Sequence, residues 1–258
     1  MNTDKKILQY SREITVAVSH LDFCRCLKPS AVMGYFQDVA TEHADILGIG
    51  YDDLLKKGLA WVMIRMSFVI RKSPKIGEIL TISTFPEKPK NSDVNRGYYV
   101  RDKSGKIIIS ASSKWCVLDV STQKVQRLAP IFEKFGDDEY TLLEPLENAN
   151  PKIEKLSENA IVEPFLFTVQ VTDLDHNGHM NNTRYGDVIL NALGVETLRK
   201  HAILRIDINF MAQLFIGDKY EVFKERTNDI VLIEARKSES GAIIFKARVE
   251  LCTHEPQN

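Results

Sequence analysis

The chain is two copies of one pattern. Such a duplication limits the fold more than any single motif, because each copy must bury its apolar residues with the same order of elements. Residues 20–36, HLDFCRCLKPSAVMGYF, lie over residues 173–189, DLDHNGHMNNTRYGDVI, with Leu21 on Leu174 and Asp22 on Asp175. Residues 65–82, RMSFVIRKSPKIGEILTI, lie over residues 205–222, RIDINFMAQLFIGDKYEV, which sets Arg65 on Arg205 and Gly77 on Gly217. In each copy a short alternating segment (ITVAVS, then FLFTVQV) enters a turn and then a helical pattern, Ser30 to about Leu47 and Asn182 to about Leu193.

Long runs rich in Val, Ile, Thr and Tyr follow the helical pattern and read as strands. They are LAWVMIRMSFVI, EILTISTF, NRGYYVRD and KIIISASSKWCVLDV in the first copy, and AILRIDINF, DKYEVFKE, DIVLIEARKS and AIIFKARVEL in the second. The turn signals KSGK and ESGA separate the last two runs of each copy, as hairpins require. Pro29 suits a helix start and Gly194 a helix stop. The expected fold is α+β: two units, each a curved antiparallel sheet around one long helix. Residues 1–130 form the first unit and residues 161–258 the second, with the polar, proline-containing stretch 131–160 as linker.

A chain of 258 residues with 44% hydrophobic content can fill one large core or two ordinary ones, so a soluble globular protein is expected. With 34 basic residues against 35 acidic, the global charge favours neither nucleic acid nor an anionic membrane as a partner. No segment approaches the roughly 18 apolar residues of a membrane span, and the opening MNTDKKILQYSREI lacks signal-peptide or transit character. A cytoplasmic location is therefore expected. Of Cys24, Cys26, Cys116 and Cys252, only the first two lie close in sequence, and a lone C-x-C does not complete a zinc site. Reduced thiols, packed as small hydrophobes, are expected.

The stretch DLDHNGHMNN, residues 173–182, imitates the start of a calcium loop, with oxygen-bearing side chains at alternate positions and a glycine at the sixth. Such a loop needs a bidentate Glu at its twelfth position. Here that position is Arg184, a cation, so the calcium reading fails. What is left is an Asp-x-Asn-x-His cluster ahead of an apolar helix.

DLDHNGHMNN with its following helix resembles the signature of the acyl-acyl carrier protein thioesterases, tandem hotdog-fold enzymes of plants and bacteria. The stretches LKPSAVMGYFQDVATEHADILGIG and LAWVMIRMSFVIRKSP resemble that family's first domain, so the likeness covers nearly the whole chain. It implies hydrolysis of a fatty acyl thioester on an acyl carrier protein, with no cofactor and no metal. Carried over by position, the family's Asp, Asn and His fall on Asp175, Asn177 and His179. Its further catalytic acid, a Glu in plant members, falls on Gln213, and the neighbouring Cys on Leu214. Gln213 can hydrogen-bond a water or the substrate but cannot serve as a base. In the first copy Cys24, Cys26 and Ser73 stand where Asn177, His179 and Gln213 stand in the second, so that copy keeps shape without the chemistry. The resemblance implies that the first domain shapes the acyl pocket, with Trp61 and Met63 lining it.

Thioester hydrolysis needs an activated water and a polarised carbonyl. Either His179 or Asp175 is expected to activate the water, with Asn177 orienting it and the start of the helix after Asn181 offering backbone N–H groups to the oxyanion. Asp175 equally suits a plain turn role, since Asp22 keeps its place in the first copy. Asn182 is expected to cap the helix, and His176 to face solvent. The basic clusters Arg71, Lys72 and Lys75, and Lys88 and Lys90, read as solvated faces or as docking points for an acidic carrier protein. An acyl-coenzyme A thioesterase, a hotdog 3-hydroxyacyl dehydratase and a silent acyl-binding module are the competing functions. The chain is compatible with a monomer or a homodimer.

Overall fold

In the computed structural model the described residues are 8–137, 140, 146–158 and 165–253, so parts of the expected linker and residues 161–164 lie outside them. Two compact units emerge, and neither is continuous in sequence. The first comprises Met1–Thr15, Tyr35–Phe68 and Glu78–Asn150; the second comprises Val16–Gly34, Val69–Gly77 and Pro151–Asn258. The turn regions of the first copy thus cluster with the whole of the second copy.

Unit 1 contains β1 (Tyr10–Thr15), most of β2 (Leu59–Ile70), β3 (Ile79–Pro86), β4 (Val94–Arg101) and β5 (Ile107–Asp119). Their order is β1-β3-β4-β5-β2. Unit 2 contains β6 (Phe165–Thr168), β7 (His201–Phe210), β8 (Lys219–Thr227), β9 (Ile230–Lys237) and β10 (Ile243–Thr253), in the order β6-β8-β9-β10-β7. The two orders are the same when the copies are superposed by sequence, so the repeat extends to topology. Hairpin pairing is antiparallel, with Ser83 opposite Tyr99 in the first unit and Val222 opposite Ala235 in the second. Period-two alternation explains these strands: inward residues such as Leu80, Ile82, Val222, Ile233 and Phe245 are fully buried.

Helix α1 runs Pro29–Ile46 and, in unit 1, packs on β4, where the rings of Phe36 and Tyr98 lie 4.6 Å apart. Three short helices, α2 (Tyr51–Leu55), α3 (Ala129–Phe132) and α5 (Val195–Lys200), carry too few residues to show a helical period. Helix α4, Arg184–Leu193, contacts β8 and β9 and ends at Gly194, whose φ of +78° suits glycine. The alternating segments differ from expectation. Only their first parts pair as strands; Val18–His20 and Val171–Asp173 are 3-10 turns.

The stretch expected to link the copies is partly built in. Ile131 and Phe132 of α3 sit in an apolar cluster of unit 1 with Ile49, Leu54 and Val117. Asn150 is pinned in unit 1, its N–H donating to Ser67 Oγ at 2.7 Å and its Nδ2 to Ser112 Oγ at 2.9 Å. In unit 2, Asn209 donates from Nδ2 to the Pro151 carbonyl and accepts at Oδ1 from the Ile153 N–H. These bonds satisfy backbone groups that a loose tether would leave to water.

Candidate active site

One carboxylate organises the turn between β6 and α4. Asp175 Oδ1 accepts from the N–H groups of Asn177 at 2.8 Å and His179 at 3.3 Å. The Asp175 N–H donates to the His179 carbonyl at 2.8 Å, and the Gly178 N–H to the Asp175 carbonyl at 3.0 Å. Closing the turn this tightly requires a left-handed residue, and Gly178 takes φ +74°.

The first copy builds the same turn. Asp22 Oδ1 accepts from the N–H groups of Cys24 and Cys26 at 2.8 and 2.9 Å, and Arg25 takes φ +60° where the second copy has glycine. Bridges Leu21↔Leu27 and Leu174↔Met180 close the two turns alike. What differs is the chemistry mounted on the turn: two thiols in one copy, an amide and an imidazole in the other. Burial and then Asp22 push the Cys26 thiol up to about 11, and the same causes raise Cys24, so neither is a ready thiolate.

The second turn is joined to the strand-end segment that carries Gln213. The Met180 N–H donates to the Leu214 carbonyl at 2.8 Å, and the His179 ring meets Phe215 edge-on with centroids 4.9 Å apart. Asp175 and His179 are half-buried, while Asn177, His176 and Gln213 are exposed. Gln213 and His179 therefore lie beside the two ends of the Met180–Leu214 bond. Trp61 and Met63 belong to unit 1: the indole N–H of Trp61 donates to the Ile49 carbonyl at 2.8 Å, its ring packs edge-on against Trp115 and Phe132, and Met63 is buried.

The N-cap position of α4 is Thr183, which makes no side-chain cap bond, so Asn182 does not cap the helix as expected. Ahead of it Asn181 forms an Asx turn, its Oδ1 accepting from the Thr183 N–H at 2.9 Å and from Thr183 Oγ1 at 3.0 Å. The oxyanion expectation narrows in the same way. N–H groups 183 to 186 are all bonded within the turn, whereas among the described residues the Asn182 N–H has no acceptor. Arg184, the residue that excludes calcium, ties helix to turn: its Nη2 donates to the Thr172 carbonyl at 2.6 Å, and its Nε lies 3.7 Å from Asp173 Oδ1. Pattern reading missed the Asn181 turn and the Arg184 tie, and it offered the amides after Asn181 only as a group; an Asn two residues before a Thr at a helix start was the available signal for the turn.

Among the described residues no cluster of three or more His, Cys, Asp or Glu side chains is arranged to hold a metal ion.

The fold has solved counterparts. An acyl-ACP thioesterase from Bacteroides thetaiotaomicron matches with a TM-score of 0.85 at 24% identity, over 95% of this chain and 98% of that one. The 12:0-ACP thioesterase from Umbellularia californica matches with a TM-score of 0.82 at 18% identity, over 96% and 98%. At this level the likeness establishes the fold, and the class is that of tandem hotdog α+β proteins.

The sequence goes further than the class. Residues 7–134 match the acyl-ACP thioesterase N-terminal domain and residues 156–251 the C-terminal domain, so the chain belongs to the acyl-ACP thioesterase family. Curated relatives include oleoyl-acyl carrier protein thioesterase 1 of Arabidopsis thaliana, 24% identical across 86% of this chain and 65% of the relative. Another is the palmitoyl-acyl carrier protein thioesterase of Cuphea hookeriana, 25% identical across 69% and 45%. Both relatives are chloroplastic, and the chain spans about half the length of several such curated plant relatives.

Proposed function

We propose that this chain hydrolyses the thioester of a fatty acyl-acyl carrier protein, releasing free fatty acid, from the turn Asp175–His179. The observation that carries this reading is the contrast between copies: one backbone turn is built twice, and only the second bears groups able to handle a water and a carbonyl. In the proposed mechanism His179, packed against Phe215, takes the proton from the attacking water. Asp175 holds the turn through its two accepted N–H bonds and so fixes the His179 backbone. Asn177 and Gln213, both exposed at this place, orient the water and the thioester through their amides. The Asn182 N–H at the entry to α4 receives the developing oxyanion. The thiolate leaves without needing a proton, so one base suffices.

We further propose that the division expected from sequence is functional, with residues 161–258 carrying the chemistry and residues 1–130 shaping the acyl site around Trp61 and Met63. Four free cysteines fit a reducing cytoplasm as the working compartment. The relatives' names span palmitoyl, oleoyl and 12:0 substrates, so the acyl length is open to assay.

The test is thiol release from palmitoyl-acyl carrier protein, palmitoyl-coenzyme A and 3-hydroxypalmitoyl-acyl carrier protein. Preferential release from the carrier-bound palmitoyl thioester is expected. Equal release from coenzyme A would move the assignment to an acyl-coenzyme A thioesterase. Loss of water from the hydroxyacyl chain without thiol release would mark a dehydratase.

A further inference from the structure

The two equivalent loop regions carry opposite charge. Segments 169–181 and 209–217, around the candidate site, contain two acidic residues, Asp173 and Asp175, and no Lys or Arg. Their equivalents in the first copy, segments 16–28 and 69–77, contain Arg25, Lys28, Arg71, Lys72 and Lys75 against the single acid Asp22. Adding the next residue of each, Glu78 and Asp218, leaves the contrast intact. In a chain whose total charge is close to zero, this is a strong local excess on one loop cluster.

The structure makes the two basic segments one surface element. The Gly77 N–H donates to the Val16 carbonyl at 2.9 Å, and the Leu27 N–H to Ser73 Oγ at 2.8 Å. Arg25, Arg71, Lys72 and Lys75 are exposed on it, and among them stand three exposed apolar side chains, Val18 at 71%, Phe23 at 55% and Ile76 at 55%. Basic side chains set among exposed apolar ones form a surface suited to an acidic partner with some apolar area of its own.

Within unit 2 the chain leaving this cluster touches the helix that the candidate turn leads into. Lys28 leads directly into Pro29 and Ser30, and Ser30 Oγ donates to Asp187 Oδ1 of α4. A Cβ on Gly186 would fall 2.5 Å from the Ser30 nitrogen, so α4 and the start of α1 meet backbone to backbone at that point. Gly186 lies on the first turns of the helix that the candidate turn leads into. Cys24 Sγ donates to the Leu198 carbonyl at 3.4 Å, a second contact between the first-copy turn and the segment after α4.

We propose that the first-copy loop cluster, having lost the polar groups of the site, is the docking surface for the acidic protein that carries the acyl thioester, with Arg71, Lys72 and Lys75 as its principal cations. The inference rests on the proposed carrier-bound substrate, and it commits to the carrier's acidic surface rather than to the phosphate of the pantetheine arm. Lys88 and Lys90, the other basic pair noted in the sequence, belong to unit 1, where Lys88 is ion-paired with Asp137 at 2.9 Å.

The test compares the wild type, the charge-reversed variant R71E/K72E/K75E and the control K88E/K90E. Two readouts are needed: binding of fluorescently labelled holo-acyl carrier protein by anisotropy at low and high salt, and KM for palmitoyl-acyl carrier protein and palmitoyl-coenzyme A. The triple variant should weaken carrier binding and raise KM on the carrier substrate about tenfold or more, while salt weakens wild-type binding. The control should bind within about twofold of wild type, since isolated surface charges contribute little, and KM on the coenzyme A thioester should not change. Unchanged carrier binding in the triple variant would overturn the proposal, as would an equal rise in KM on both thioesters or an equal loss in the control. The predicted binding pattern in a protein that cleaves neither thioester would uphold docking and reject the hydrolytic function, so the two failures are separable.

Discussion

Asp22 and Asp175 hold equivalent turns, each carboxylate accepting two backbone N–H groups, and only one of those turns carries a candidate site. In the proposed mechanism Asp175 accordingly positions the turn and His179 transfers the proton. An asparagine at position 175 retains an oxygen acceptor for the same N–H groups but cannot serve as a base. Asp175→Asn should therefore retain kcat on palmitoyl-acyl carrier protein within about tenfold, with a stability loss of about 1 kcal/mol for weakening charge-assisted bonds. Asp175→Ala, which leaves the turn unheld, should lose far more activity. If Asp175→Asn is as inactive as Asp175→Ala while still folded, the carboxylate is the base and this assignment is wrong.

At the scale of elements, the contact between α1 and β4 sets a buried polar pair beside the packed rings of Phe36 and Tyr98. His43 of α1 is buried at 3% exposure, and its Nδ1 accepts from Arg96 Nη1 of β4 at 3.0 Å, with Thr84 Oγ1 taking a second bond from the same nitrogen at 3.2 Å. Burial and then the Arg96 guanidinium push the His43 imidazole down from 6.5 to about 3. Below pH 6.5 the unfolded chain therefore binds a proton that the folded chain refuses, so stability present above that pH is lost on acidification toward 3. Between pH 6.5 and 5 the loss from this one group should be about 2 kcal/mol. Urea unfolding at the two pH values should show this slope in the wild type and a shallower one in His43→Gln. Equal slopes would mean that His43 is not held neutral.

The two long helices and eight of the strands were legible in the sequence because runs of 8 residues or more with a 3.6- or 2-residue period leave little ambiguity. The ends of ITVAVS and FLFTVQV were not, since alternation alone does not reveal that Val18 and Val171 are 71% and 74% exposed in 3-10 turns. Nor does any local pattern encode a compact unit assembled from three separate segments.

For the molecule as a whole, duplication is the informative fact, because one copy serves as an internal reference for the other. Asp175, Asn177 and His179 could be singled out from sequence as an Asp-x-Asn-x-His cluster resembling a family signature, and Cys24 and Cys26 show the same turn without the amide and the imidazole. The Arg184 tie could not, and the amides after Asn181 could be offered only as a group, since which backbone groups are bonded depends on the folded turn. The same comparison supplies the most direct test of where the chemistry lies. His179→Ala and Cys26→Ala change equivalent positions of the two turns, and kcat on palmitoyl-acyl carrier protein should be measured for both beside the wild type. The account predicts a fall of about a hundredfold or more for His179→Ala, the scale of a lost general base, and a value within about twofold of wild type for Cys26→Ala. Full activity in His179→Ala, or an equal loss in Cys26→Ala, would contradict it.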